Sequence, residues 1–289
     1  VKFFETDCSN FSKMKKITQN IDVIIHAAAY PHESLSVFSP HLISDSIIGA
    51  STSTFSAAIE NKVKRIVFCS SIARYGHVEI PYEENGPKKP AEPYGISKLA
   101  AEEILINLCE TYDVEYNIAV PHNIIGTKQK YDDPFRNVAS IMINLMLQNR
   151  QPIIYGDGEQ KRCFSYIDDC LSCLIPMRDQ ANLNKQIINI GPDEEFVTIN
   201  TVAEICSNVS GSNLKPIYKP DRPQEVKHAT CSADKARKLL NYKTTVDLKT
   251  GITKTFDYIK KRGVKPFDYY INVEIQNELT PSTWIKKEI

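Results

Sequence analysis

The stretch Val63-Lys-Arg-Ile-Val-Phe-Cys-Ser-Ser71 is a short apolar run that ends in two hydroxyl side chains. A similar run, Ile21-Asp-Val-Ile-Ile-His-Ala-Ala-Ala29, precedes it and ends in small residues. Runs that are apolar at consecutive positions are typical of strands buried on both faces of a parallel sheet. We therefore predict two parallel strands whose carboxyl ends meet at one edge of the sheet, where open α/β folds bind ligands.

Segments of helical character alternate with these runs. Residues 40–61 are rich in small side chains, residues 93–112 carry aliphatic side chains on one side, and residues 114–120 form a third strand-like run. This alternation predicts an α/β protein whose parallel sheet is doubly wound, with helices on both faces. Residues 1–4 also have strand character, so the chain is expected to begin close to a strand.

The character of the sequence changes near Gly126. The segment 128–136 is polar and is predicted to be a loop, and beyond it helices alternate with short strands. We expect the sheet domain in residues 1–125 and a smaller, mixed α/β domain in residues 126–289, some segments of which return to the sheet. Its helices are predicted at 137–148, 166–177, 199–209 and 248–262, and its strands at 153–155, 187–190 and 214–218.

The charge balance excludes several classes of partner. The 289 residues carry 35 Lys and Arg against 35 Asp and Glu, so the net charge is zero. No long basic run is present, and neither a nucleic acid nor an anionic membrane is expected as a partner. No apolar run approaches the length of a membrane span and no signal peptide opens the chain, so the cytoplasm is the expected compartment.

Eight cysteines are scattered along the chain, several of them in apolar runs, as reduced core cysteines are. Cys170 and Cys173 form a C-x-x-C motif, which can serve redox or metal chemistry. No second pair of ligands follows, so we interpret them as two core cysteines on one helix and expect no metal.

Tyr94 and Lys98 lie four residues apart near the start of a predicted helix, which brings them to one helix face. A tyrosine hydroxyl has an ordinary pKa of about 10, and a nearby ammonium favours the phenolate that a base at neutral pH requires. Such a pair also occurs by chance on helix surfaces. Its context favours chemistry, because Ser71 ends a strand at the ligand-binding edge, where its hydroxyl can bond a substrate oxygen.

Taken in order, these segments resemble the motifs of the extended short-chain dehydrogenase/reductases, within the NAD-dependent epimerase/dehydratase family and most like UDP-sugar 4-epimerases. The resemblance spans about residues 1–262 and implies a Rossmann-like sheet followed by a nucleotide-sugar-binding domain. The matching segments are His26-Ala-Ala-Ala29, Ser70-Ser71 with Tyr75-Gly76, Pro93-Tyr94-Gly-Ile-Ser-Lys98, Asn123 with Gly126, Tyr155-Gly-Asp-Gly158, Arg162 with Phe164-Ser-Tyr-Ile-Asp168, Asn189-Ile-Gly191 and Arg222-Pro-Gln-Glu225.

The resemblance also implies roles for single residues. Tyr94 would be the base, Lys98 its activator, and Ser71 the group that bonds the reacting sugar hydroxyl. The implied cofactor is NAD and the implied substrate is a UDP-sugar, whose phosphates guanidinium groups can bind in fork geometry. The implied cofactor contacts are Asp7, Cys8, Ala27, Ala28, Ala29, Tyr94 and Lys98. The implied substrate contacts are Ser71, Asn123, Arg162, Arg222 and Glu225.

One motif of the family has no counterpart in these 289 residues, namely the glycine-rich G-x-x-G-x-x-G loop that holds a pyrophosphate on a helix N-terminus. The chain also starts with Val1 rather than Met. We therefore expect the first βαβ unit of the Rossmann-like sheet, about fifty residues in the family layout, to lie ahead of Val1.

The two residues after Ser71 bear on the reaction. Sugar 4,6-dehydratases of this family carry Asp-Glu at that place, whereas this chain has Ile72 and Ala73. The resemblance therefore favours epimerisation at C4 of a UDP-hexose, such as UDP-glucose or UDP-N-acetylglucosamine, through a 4-keto sugar. The alternatives are another nucleotide-sugar reductase, decarboxylase or dehydratase of the superfamily, or a non-catalytic NAD-sensing protein on the same fold.

The assembly is a further expectation. Residues 40–61 and 93–112 resemble the family's pairing helices, which form a four-helix bundle between two subunits. A homodimer is therefore expected, and polysaccharide biosynthesis is the expected setting.

Overall fold

Short strands alternate with helices along the whole chain. The computed structural model describes residues Val1–Ile289. The strands are β1 (Val23–His26), β2 (Arg65–Cys69), β3 (Glu115–Pro121), β4 (Ile124–Ile125), β5 (Ile153–Tyr155), β6 (Lys161–Arg162), β7 (Ser165–Tyr166), β8 (Gln186–Ile190), β9 (Val197–Thr198), β10 (Ile217–Lys219) and β11 (His228–Ala229). The helices are α1 (Phe11–Ile17), α2 (Pro40–Ser44), α3 (Ala50–Glu60), α4 (Pro93–Tyr112), α5 (Val138–Leu147), α6 (Ile167–Asp179), α7 (Ile199–Ser210), α8 (Asp234–Leu240), α9 (Leu248–Arg262) and α10 (Ser282–Ile285).

The main sheet is parallel and has the strand order β1-β2-β3-β8. Strand β2 pairs with β1 from Arg65 to Phe68 and with β3 from Arg65 to Cys69. Strand β8 comes from the second half of the chain and adds to the far side of β3. All three neighbouring pairs are parallel, so the carboxyl ends of the strands share one edge.

Both faces of this sheet are covered by helices. Ile66 and Phe68 of β2 pack into a cluster with residues of α3 and α4, whereas Val67 packs into a second cluster with residues of α6 and α8. Successive side chains of a strand point to opposite faces, so this division follows from the sheet itself. The predicted Rossmann-like, doubly wound α/β fold is confirmed. Cys170 and Cys173 are buried in the second cluster on α6, as the core interpretation predicted.

The helix predicted at 40–61 is present as one helical run, in which a π turn, Asp45–Gly49, joins α2 to α3 without a break. The Ser46 hydroxyl donates to the carbonyl of Ile43 within it. A π turn accommodates one extra residue and shifts the helix face that follows it. The strand predicted at residues 1–4 was wrong, because no neighbouring strand supplies partners for their backbone groups.

Other elements agree with the predictions to within a few residues, and helix α9 agrees at both ends. The predicted strand at 214–218 is shorter and later, as β10, and it pairs with β5. Helices α5, α7 and α9 pack together beside that small sheet around a separate apolar core. Helices α1 and α8 were not predicted.

The last segment of the chain, residues 263–289, also packs in a way that the sequence did not indicate. Trp284 and Ile271 are buried in a cluster with Leu35 and Phe38 from the loop after β1 and with Phe135 from the loop before α5. The Glu274 carboxylate accepts from the backbone N–H groups of His41 and Leu42 at the start of α2. This segment therefore ties together loops from both halves of the chain. No helix of the protein has the length and apolarity to cross a bilayer.

Candidate active site

A cleft of about 520 Å³ opens beyond the carboxyl ends of β1, β2 and β3, in the size range of small-molecule sites. The loops that follow these strands form its floor, and the loop before α5 and the segment between β5 and β7 form its far wall. The cleft brings together most of the predicted site residues. They are Ala27, Ala29, Ser71, Tyr94, Lys98, Asn123, Arg162, Arg222 and Glu225.

Helix α4 presents Tyr94 and Lys98 to this cleft. Pro93 occupies its first turn, and the Glu92 carboxylate caps it by accepting from the backbone N–H groups of Tyr94 (2.6 Å) and Gly95 (2.9 Å). Pro is favoured at this place because its fixed φ suits the first turn, and a carboxylate suits the positive end of the helix. Burial raises the pKa of Glu92 to about 8, and the charge of Glu33 acts in the same direction.

Gly95 allows α4 to approach the end of β2 closely. A Cβ atom at this position would lie 2.4 Å from the backbone oxygen of Ala73, in the turn that follows Ser71. Any larger residue would push the helix away from that turn. The glycine therefore sets the separation between Tyr94 on the helix and Ser71 at the strand end.

Ser71 lies directly after β2 and caps the short turn Ile72–Arg74, where its Oγ accepts from the N–H of Ala73 at 3.2 Å. Its hydroxyl can still donate toward the cleft, which it lines together with Tyr94. Ile72 and Ala73 are buried and apolar, so neither position after the serine carries a carboxylate. Glu33 and Glu92, from other segments, line a recess together with them.

Lys98 is buried beneath Tyr94. Its ammonium donates to the carbonyl of Cys69 at 2.8 Å and lies 5.9 Å from the centre of the Tyr94 ring. Burial lowers the pKa of Lys98 to about 8. A cation that is held by one backbone carbonyl can donate its other N–H groups to a ligand in the cleft.

The electrostatics of Tyr94 differ from the expectation. Burial raises the pKa of Tyr94 to about 12, and the largest opposing influences are the nearby Ser71 hydroxyl and the charge of Arg136. We expected the Lys98 ammonium to lower this pKa below its ordinary value, which was wrong for the chain by itself. The reason is that the ammonium is directed at the carbonyl of Cys69, while the phenol is shielded from water.

The cofactor side of the cleft is lined by Ala27 and Ala29, whose small side chains leave room for a flat ring near Lys98. These residues fit the nicotinamide-ribose end of NAD. Ala28 does not line the cleft. Asp7 and Cys8 also lie outside its lining, just ahead of α1, where the Asp7 carboxylate accepts from the N–H of Ser9.

The opposite side of the cleft carries the predicted phosphate-binding residues. The Arg222 guanidinium donates to both carboxylate oxygens of Glu225, at 3.0 and 3.1 Å, and stacks 4.5 Å above the ring of Tyr155. Arg162 donates to the carbonyl of Val226 at 2.6 Å and lies 3.9 Å from Glu225. Glu225 thus orients two guanidinium groups, which together keep one net positive charge for an anionic ligand.

Asn123 stands in the same cleft, but its amide donates to the carbonyl of Cys163 at 2.9 Å. This bond joins the end of β3 to the segment between β6 and β7, which follows Arg162. Asn123 therefore shapes the wall of the cleft, and its amide oxygen stays available to a ligand.

Three charged residues of the site were not singled out in the sequence, namely Glu33, Glu92 and Arg136. Glu33 and Arg136 lie in loops, where no periodicity marks the direction of a side chain. A usable signal for Glu33 was its place shortly after a strand that ends at the ligand-binding edge. For Arg136 the signal was a single arginine in an otherwise acidic loop, Tyr131-Asp-Asp-Pro-Phe-Arg136.

Comparison with known proteins agrees with this geometry. Residues 1–191 match the model of the NAD dependent epimerase/dehydratase family. A putative UDP-glucose 4-epimerase of Methanocaldococcus jannaschii is 32% identical over 267 residues, covering 91% of this chain and 85% of that protein. Human dTDP-D-glucose 4,6-dehydratase is 27% identical, covering 94% of this chain and 78% of that protein.

Among solved structures, the UDP-glucuronic acid 4-epimerase of Bacillus cereus, in complex with UDP-glucuronic acid and NAD, superposes with a TM-score of 0.84 at 27% identity. That match covers 91% of this chain and 82% of the other. The family model spans well over half of the chain, and the residues quoted for the resemblance lie in one cleft. The chain belongs to the NAD-dependent epimerase/dehydratase family, whose cofactor is NAD.

Proposed function

We propose that this protein epimerises C4 of the hexose of a UDP-sugar by oxidising the 4-hydroxyl to a ketone and reducing it from the opposite face. UDP-glucose and UDP-N-acetylglucosamine are the first substrates to test. The observation that carries the proposal is the grouping of Ser71, Tyr94 and Lys98 on one wall of the cleft, with Ile72 and Ala73 buried beside them.

Tyr94 is the proposed base. Its hydroxyl would take the proton of the sugar 4-hydroxyl while Ser71 holds the same sugar oxygen by a hydrogen bond. The bound NAD supplies the chemistry of accepting a hydride and returning it. Lys98 would bind the nicotinamide ribose with the N–H groups that Cys69 leaves free, which brings its ammonium toward the phenol.

Arg162 and Arg222 are proposed to bind the diphosphate. Their orientation by Glu225 supports this role, because a pre-oriented guanidinium loses little entropy when it binds phosphate. Holding the diphosphate fixes one end of the substrate, while the hexose can turn over in the rest of the cleft. That turn is required if hydride is to return to the other face of C4.

Dehydration is the main rival reaction, and the human relative named above carries it out. Elimination of water needs an acid and a base close to the reacting carbons, in addition to the tyrosine. The two side chains after Ser71 are apolar, and the Glu92 carboxylate is occupied in capping α4. Glu33 is then the one unengaged carboxylate of the cleft, whereas elimination needs both an acid and a base. This supports epimerisation over dehydration.

Product analysis tests the proposal. The protein is incubated with NAD and each UDP-sugar, and the products are resolved by proton NMR. Formation of the C4 epimer in a reversible reaction is the expected result. A 4-keto-6-deoxy sugar, a pentose or a product that consumes reduced cofactor would instead identify a dehydratase, a decarboxylase or a reductase. Binding of NAD without any turnover would identify a sensor.

We also propose that the protein is a homodimer that acts in the cytoplasm, in the synthesis of a polysaccharide. The exposed side chains Ile96 and Tyr112 on α4 support a second copy packing against this helix. All eight cysteines are free, which supports a reducing compartment. A monomeric mass in light scattering would contradict the dimer.

A further inference from the structure

We propose that Arg136 binds an acidic group on the sugar ring, so that the preferred substrate is a UDP-hexuronate rather than a neutral UDP-hexose. This inference rests on the proposed function and narrows its substrate class. In this role Arg136 is the residue at the sugar end of the cleft that determines substrate specificity.

The first observation is that the guanidinium of Arg136 has no partner within the chain. Seven of the nine arginines donate at least one hydrogen bond to the protein. The two exceptions are Arg262, which is exposed at the end of α9, and Arg136, which lines the cleft and is only partly exposed. A cation that is withdrawn from water without a counter-charge is unfavourable unless a ligand supplies one.

The second observation is that the loop residues just before Arg136, Asp133 and Phe135, are held in place. The Asp133 carboxylate accepts from the N–H of Phe135 at 2.9 Å, from Nε2 of His32 at 2.9 Å and from the Tyr270 hydroxyl at 3.0 Å. The Phe135 ring packs edge-on against Trp284, with the ring centres 5.5 Å apart. The loop therefore fixes where the arginine enters the cleft, as a preorganised binding residue requires.

The third observation is that Arg136 lies at a different end of the cleft from the other two arginines. Arg162 and Arg222 lie on the diphosphate side and share Glu225. The charge of Arg136 is instead the strongest one acting on Tyr94, the proposed base. Arg136 thus lies on the side of Tyr94, where the reacting sugar would bind, whereas Arg162 and Arg222 are placed to bind the diphosphate.

Two carboxylates, those of Asp133 and Glu33, lie near enough to act on the charge of Arg136, but neither forms an ion pair with it within 4.0 Å. Asp133 is bonded to His32 and Tyr270, and Glu33 lines a side recess that it shares with Arg162 and Glu92. The N–H groups of Arg136 are therefore left for the ligand. A guanidinium binds a carboxylate by two parallel hydrogen bonds, and C6 of a hexuronate carries such a group close to C4.

The test compares Arg136→Met, which keeps the length of the side chain, with Arg136→Lys, which keeps the charge. Arg262→Met is the matched control, since that arginine is also unpartnered but exposed. In the wild type, kcat/KM for UDP-glucuronate should exceed that for UDP-glucose. Arg136→Met should lower kcat/KM for UDP-glucuronate by about 10²-fold more than kcat/KM for UDP-glucose, as expected for a charge-assisted bidentate pair. Any effect of the lost charge on Tyr94 is common to both sugars and cancels in this ratio.

The kcat/KM of Arg136→Lys for UDP-glucuronate should lie between those of the wild type and of Arg136→Met. Arg262→Met should have the same kcat/KM as the wild type. Equal losses of activity on the acidic and the neutral sugar in Arg136→Met would overturn the inference, and so would a wild type that prefers UDP-glucose. Circular dichroism checks that each variant is folded, and Arg136→Gln replaces Arg136→Met if the latter is not.

Calorimetric binding in the presence of NAD separates this inference from the proposed function. If no sugar is epimerised, the proposed function fails, but the inference still predicts tighter binding of UDP-glucuronate than of UDP-glucose. Arg136→Met should abolish that difference and leave the affinity for UDP itself unchanged. A weakened affinity for UDP would assign Arg136 to the diphosphate and overturn the inference.

Discussion

Replacing Glu102 by Gln should destabilise the protein strongly, because this residue is half of a fully buried ion pair. Glu102 lies one helical turn after Lys98 on α4, and its carboxylate is 2.7 Å from the Arg74 guanidinium, with neither side chain exposed. It also accepts from the hydroxyl of Ser70, the residue before Ser71. The pair thus braces helix α4 against the strand end that carries Ser71.

The size of the effect follows from the desolvation of Arg74. Removing one partner of a buried pair leaves an uncompensated charge and costs about 3–5 kcal/mol. At about 2.1 cal/mol/K of unfolding entropy per residue, a chain of 289 residues should lose about 5–8 °C in Tm. The double variant Arg74→Met/Glu102→Leu should be more stable than Glu102→Gln alone, because it leaves no buried charge.

The assay is urea and thermal unfolding of the wild type, Glu102→Gln, the single variants Arg74→Met and Glu102→Leu, and the double variant Arg74→Met/Glu102→Leu, followed by circular dichroism. The coupling energy of Arg74 and Glu102 is read from the double-mutant cycle. A loss below about 1 kcal/mol in Glu102→Gln would mean that water reaches the pair. A double variant less stable than either single variant would refute the argument from unpaired charge.

Three further predictions concern the site and the assembly. Gly95→Ala should lower Tm and turnover together, because its Cβ would lie 2.4 Å from a backbone oxygen. Gly251→Ala is the control, since the nearest atom there is the end of the Ile125 side chain at 3.1 Å. Burial lowers the pKa of Lys98 to about 8, so its ammonium is lost as pH rises through that value. The kcat/KM should therefore fall above about pH 8. A kcat/KM that stays constant to pH 10 would contradict this role of Lys98. Light scattering of the protein at micromolar concentration should give the mass of a dimer, and the variant Ile96→Glu, which places a charge on the exposed face of α4, should give a monomer.

The sequence predicted the sheet and its ligand edge because short, continuous apolar runs are specific for buried parallel strands. Most of the residues that it predicted for the site line the cleft, since their motifs occur in a fixed order. Local spacing was enough for Tyr94 and Lys98, which share one helix face. Ser71 could be predicted because the end of a parallel strand has a known place in such folds.

The remaining features depend on contacts between distant parts of the chain. The pKa of Tyr94 is set by burial under several elements, which no local pattern reports. The position of Arg136 depends on a loop that His32 and Tyr270 hold from residues far away in sequence. The π turn in the segment 40–61 was missed for another reason, namely that one inserted residue hardly disturbs helical composition.

The proposed role of Tyr94 is tested most sharply by the rate of C4 epimerisation in Tyr94→Phe, measured by NMR beside calorimetric binding of the same UDP-sugar. Turnover should fall by a factor of about 10² to 10⁴, the usual size for loss of a general base, while binding stays within about threefold. Tyr116→Phe, in which a buried tyrosine of β3 loses its hydroxyl, should behave as the wild type. Unchanged turnover in Tyr94→Phe would contradict the central claim that this hydroxyl carries the proton.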